Sequence, residues 1–150
     1  MEKTIIILLT FLFFISCGYT PIYLNKTMNF SLVEITKSKN DRLNSKIEKR
    51  LKNLSNKKSE KKVSLNISSK KEIKIVAKDS RGNPSRYEMV IKIQVDIVYD
   101  QKQNLDKEFS QGFSYNTNEN KFELNQYEKE IEELLIDKFF ENLIKYLSKI

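Results

Sequence analysis

The chain has 150 residues, with 27 Lys and Arg against 20 Asp and Glu and a formal net charge of +7. That length suits one domain with one modest core, and the scarcity of Gly (3) and Pro (2) argues against a low-complexity or disordered chain. With no His at all, the usual general base, the Ser–His and Cys–His pairs and the commonest zinc ligand are missing. A lysine-assisted or paired-carboxylate enzyme would need a motif, and none is recognisable. The chain therefore reads as a non-enzyme with no metal or cofactor site.

Glu2 and Lys3 precede an apolar run, Ile5–Ile15, that stops at Ser16-Cys17-Gly18. About a dozen apolar residues at roughly 1.5 Å each span about 18 Å, well short of the roughly 30 Å hydrocarbon core. Such a run fits the apolar segment of a secretory signal better than a spanning helix. Cys17 is the only cysteine, so it cannot form an intramolecular disulfide, and a small residue before it leaves room for a peptidase. Phe14-Ile15-Ser16-Cys17 resembles a lipobox, with Phe14 bulkier than the usual Leu. The expectation is a signal peptide over 1–16, lipidation at Cys17, an anchor and tether over 17–28, and a folded domain over 29–150. A cleaved signal without lipid and an uncleaved inner-membrane anchor are the rivals. Gly18, where Asp would favour inner-membrane retention in many bacteria, points to the outer membrane.

Asn29–Thr36 is a short β-branched first strand. Asp41 then caps a helix with apolar residues at Leu43, Ile47, Leu51 and Leu54, one narrow stripe. Ser55–Lys62 is a polar loop. Val63, Leu65, Ile67, Ile73 and Ile75 alternate with polar residues, a second strand with a bend expected near Ser68–Lys70. Asp79–Pro84 gathers turn formers. Tyr87, Met89, Ile91, Ile93, Val95, Ile97 and Tyr99 form the clearest strand, one face apolar and the other polar. Asp100–Asn104 is a second turn, and Leu105, Phe109, Phe113 and Tyr115 continue the alternation, which implies an antiparallel meander. From Leu124 to Ile150 the spacing changes to three and four residues, through Tyr127, Ile131, Leu134, Leu135, Phe139, Leu143 and Leu147, a long helix. Its aromatics read as core. The sum is an α+β fold, a β-α-β-β-β-α two-layer sandwich with one mostly antiparallel four-stranded sheet and two helices on one face.

Charge is uneven along the chain. Residues 37–62 hold eleven Lys or Arg against three acids, and residues 119–149 hold eight acids against five bases. The basic block fits either a solvated lysine-rich face or an anionic partner such as lipid headgroups or a phosphorylated glycolipid. Export argues against nucleic acid.

Three motifs in this order resemble the LPS-assembly lipoproteins, the LptE family, over essentially the whole chain. Cys17-Gly18-Tyr19-Thr20-Pro21-Ile22-Tyr23 is similar to the start of many members. Arg81-Gly82-Asn83 followed by Arg86-Tyr87-Glu88-Met89 is similar to their central hairpin, and Phe113-Ser114-Tyr115-Asn116 to the strand before their last helix. The resemblance implies an outer-membrane lipoprotein that sits inside the LptD β-barrel, helps it assemble, and assists LPS insertion at the cell surface. By motif, Arg81 is the first choice for an LPS contact, with Arg86 and Lys78 flanking the same hairpin and Lys121 nearest to a basic residue before the last helix. Solvent-exposed turn charge is the competing account of all four. A lipoprotein serving another outer-membrane or periplasmic partner is the alternative function.

Overall fold

Six elements occur among the described residues (30–38, 41–55, 58–99 and 103–149) of a computed structural model. In chain order they are β1 (Ser31–Lys37), α1 (Arg42–Leu54), β2 (Lys62–Lys78), β3 (Pro84–Tyr99), β4 (Gln103–Asn116) and α2 (Lys121–Leu147). The strands form one sheet in the order β1-β2-β3-β4. β1 runs parallel to β2, and α1 supplies the crossover that a parallel pair requires. β2, β3 and β4 form the antiparallel meander. The class is α+β, as the alternation and helix periods predict. The signal, Cys17 and the Cys17–Tyr23 motif lie outside the described residues.

Odd-numbered residues of β3, β4 and β2 as far as Ile75 face the helices; in β1 a register shift between Leu32 and Glu34 changes the parity. Val63, Leu65 and Ile67 of β2, Met89 to Ile97 of β3, and Phe109 and Tyr115 of β4 are buried there against Ile47, Leu51, Ile131, Leu135, Phe139 and Leu143 of the helices. Even-numbered residues of these strands face away and are mostly polar, with Val90 and Val98 of β3 the exceptions. Asn66 shows this: it accepts from the Thr36 hydroxyl at 3.1 Å and donates to Asp96 at 3.0 Å.

Both helices begin on side-chain caps. Asp41 accepts from the Asn44 N–H at 2.7 Å, and Asn120 accepts from the Phe122 N–H at 3.0 Å. Asn44 is itself buried and accepts from the Ser69 hydroxyl at 2.7 Å, which ties the start of α1 to the middle of β2.

Three features differ from expectation. β2 is continuous through Ser68–Lys70, because each of these residues pairs with Gln94, Ile93 and Lys92 of the strongly alternating β3; its register breaks fall later, at Ile75/Ala77 and Ala77/Lys78. Ile73 and Ile75 are exposed although they continue the buried alternation, since β1 has already ended at its Lys37↔Ile67 pair. α2 buries Ile136 and Phe140 beside the expected stripe, while Leu134 and Tyr127 are exposed. This helix packs against α1 as well as the sheet: the Arg50 guanidinium lies 4.8 Å from the centre of the Phe140 ring.

The uneven charge has an internal explanation. Lys46 of the basic block contacts Glu132 at 3.0 Å and Glu133 at 2.5 Å, and Arg50 pairs with Asp137. Lys71 of β2 meets the other oxygen of Glu132 at 2.6 Å. Glu132 is buried. Burial alone would raise its pKa, but hydrogen bonds from Lys71 and Lys46 outweigh that and hold it below the ordinary value.

Candidate functional site

The β2–β3 hairpin ends in a turn built around Asp79. One carboxylate oxygen accepts from the N–H groups of Arg81 at 2.9 Å and Asn83 at 2.8 Å, and the Asp79 carbonyl accepts from the Gly82 N–H at 3.0 Å. These donors, that of Asn83 foremost, hold the Asp79 pKa below its ordinary value. Gly82 supplies the positive φ of +86° that closes the turn. Asp-x-x-Gly-Asn-Pro is thus a rigid tip rather than a loose loop.

That tip displays cations. The Arg81 side chain is 84% exposed, and its Nε lies 3.8 Å from Asp79, a loose pairing that leaves the guanidinium facing solvent. Lys78 closes β2 opposite Pro84, and Arg86 stands on the first turn of β3 pairs, donating from Nε to Asn116 at 3.3 Å. Because Arg86 pairs with Asn116, the end of β4 lies beside the hairpin tip. The Thr117 N–H donates to the Ser85 carbonyl at 3.1 Å, and α2 begins four residues later. Lys78, Arg81, Arg86 and Lys121 are therefore gathered at one end of the molecule, from three separate segments.

Lys121 has a different setting from the hairpin cations. Beside it an open cleft of about 490 Å³ lies between the end of β4 and the start of α2, lined by Asn116, Asn118, Glu119, Glu123 and Tyr127 among others. Its two carboxylates oppose an anionic ligand there. The hairpin cations form the stronger anion-facing group.

Beneath this end lies an aromatic group. Tyr87 and Tyr115 stack with centroids 5.7 Å apart, and Tyr127 meets Tyr115 edge-on at 6.1 Å. The buried Tyr115 hydroxyl donates to Glu128 at 2.7 Å. Burial first, and then the Glu128 carboxylate, push its pKa up. Apolar side chains are exposed as well: Ile73, Ile75 and Val76 toward the end of β2 and Phe122 in the first turn of α2. Sequence reading placed these isoleucines in the apolar alternation of the second strand; the early end of β1 leaves them at the surface.

No family model matches the chain, and no curated protein matches it. Solved structures do share its fold. Rare lipoprotein B from Shewanella oneidensis superposes with a TM-score of 0.58 at 13% identity, covering 80% of this chain and 93% of that one. A lipoprotein B of uncharacterized function from Nitrosomonas europaea gives 0.59 at 14% identity, covering 83% and 87%. A minor lipoprotein from Acinetobacter baumannii gives 0.58 at 12% identity, covering 83% and 93%. At these identities the likeness is one of fold: the chain has the two-layer α+β architecture seen in these bacterial lipoproteins.

Proposed function

We propose that the chain is an outer-membrane lipoprotein, anchored through acyl chains on Cys17, that plugs an LptD-type β-barrel, helps it assemble, and assists LPS insertion at the cell surface. The observation that carries this reading is the hydrogen-bonded β2–β3 tip, with Lys78, Arg81 and Arg86 exposed together and Ile75 and Val76 exposed on the same strand as Lys78. LPS offers phosphates next to acyl chains. Arg recognises phosphate through paired N–H donors, and neighbouring apolar surface suits the lipid portion.

The rest of the molecule is compatible with a plug. One sheet face is largely covered by two helices and the other is mostly polar, so a hydrated lumen can accept it; a wide barrel without such a filler leaves an aqueous channel. Acyl chains, at about 0.8 kcal/mol per buried CH₂, hold such a plug at the membrane without a transmembrane helix. Fold likeness to lipoproteins of three bacteria supports an envelope role.

The test is purification of the tagged full chain from detergent-solubilised outer membranes. The reading expects a large β-barrel in one-to-one ratio. Recovery of the chain alone, or with a periplasmic partner in place of a barrel, would overturn it.

A further inference from the structure

β2 loses its neighbour halfway along. β1 pairs with it only as far as Lys37↔Ile67, where the Ser38 N–H donates to the Ile67 carbonyl at 3.0 Å. From Ser69 to Ile75, β2 is paired with β3 on one side, and among the described residues no strand pairs with its other side. Seven residues at roughly 3.3 Å each span about 23 Å, a full strand's length. Past Ile75 the register breaks and the regular edge ends.

The two faces of this edge have opposite character. Ile73 and Ile75, 43% and 51% exposed, lie on the helix side. Lys70, Glu72 and Lys74 lie on the other. Glu72 is shared by Lys70 at 2.5 Å and Lys74 at 3.4 Å, so one carboxylate answers two ammonium groups.

We propose that the Ser69–Ile75 edge docks an acidic β-strand of a partner protein. The added strand extends the sheet through its backbone, with carboxylates across from Lys70 and Lys74 and apolar side chains against Ile73 and Ile75. Charge selects this occupant. A second copy would bring three lysines and one glutamate of its own over the same residues, and the +7 on each chain opposes their approach. Residues 17–29 of the same chain contain no Asp or Glu, and Pro21 among them has no N–H to give. Edge lysines deter indiscriminate pairing, and here they leave an acidic strand as the complementary partner. The inference goes beyond the barrel reading and does not depend on it.

The test uses the full chain in detergent and three labelled nonapeptides: alternating Val and Glu, alternating Val and Lys, and the Val–Glu peptide N-methylated at alternate amides. Binding is read by fluorescence anisotropy and by hydrogen exchange of the Ser69–Ile75 amides. The Val–Glu peptide is expected to bind at least tenfold tighter than the other two and to slow exchange in that segment. A Lys70→Glu/Lys74→Glu variant, changed at side chains 72% and 59% exposed, should reverse the preference between acidic and basic peptides. If that variant does not fold, the N-methylated peptide still separates backbone pairing from charge attraction. Equal binding of all peptides, or binding without slowed exchange, overturns the proposal. So does slow exchange, before any peptide is added, of those Ser69–Ile75 amides that face away from β3, whether from a dimer or from the chain's own N-terminal segment.

Discussion

Arg81 is held out by its neighbours rather than by its own contacts. Two backbone donors and the Gly82 turn fix the tip around Asp79, and the guanidinium is left to solvent. Arg81→Glu is therefore expected to leave unfolding by urea unchanged, while LPS affinity of the full chain falls about tenfold, the loss of roughly one charge-assisted hydrogen bond. Unchanged affinity in that titration would remove Arg81 from the site. Gly82→Ala should act the other way. A Cβ there meets nothing within 4 Å, so its cost is the left-handed backbone alone, about 1 kcal/mol, measurable by urea unfolding. These hairpin residues were legible because turn formers and cations are local in sequence. Lys121 was legible only as a charge; that Glu119 and Glu123 line the open cleft beside it shows only in the fold.

At the scale of elements, β3 and α1 follow directly from their periods, since each packs one narrow face. α2 does not, because it touches both the sheet and α1, and a single stripe undercounts its buried side. Ile136, Phe140 and Glu132 were missed for this reason. Glu132 in particular looks like any helix-surface acid until Lys46 and Lys71, from elements remote in sequence, arrive around it. Its folded-state pKa lies below the ordinary 4.5. The stability it contributes is therefore complete above about pH 4.5 and is lost as pH falls through the folded value. Glu132→Gln is expected to cost about 2 kcal/mol at pH 7, with the lysines' partial exposure limiting the loss. The gap between variant and parent in urea unfolding should shrink as pH drops below that value; a gap independent of pH would show that shape, not charge, matters there. Phe139→Ala, at a fully buried ring in edge contact with Phe109 and Phe140, is expected to cost about 3–5 kcal/mol, read in the same unfolding experiment.

For the whole molecule, the two charge blocks neutralise each other partly from within. Lys46 and Arg50 meet Glu132, Glu133 and Asp137 across the two helices, so the basic block is in part a helix–helix interface rather than a free anionic-partner site. The positive excess outside that interface includes the hairpin end and the β2 edge, where Lys70 and Lys74 share Glu72. A domain with helices on one side and mostly polar residues on the other can stand in a hydrated space, and in the proposed function membrane attachment falls to Cys17. The central claim is thus that the chain is exported, cleaved before Cys17 and acylated there. Intact-mass spectrometry of the protein extracted from its native membrane tests this most directly. The account predicts a mass that begins at Cys17 and carries diacylglyceryl and acyl additions. A mass that retains Met1–Ser16, or that begins at Cys17 with an unmodified sulfur, would contradict it.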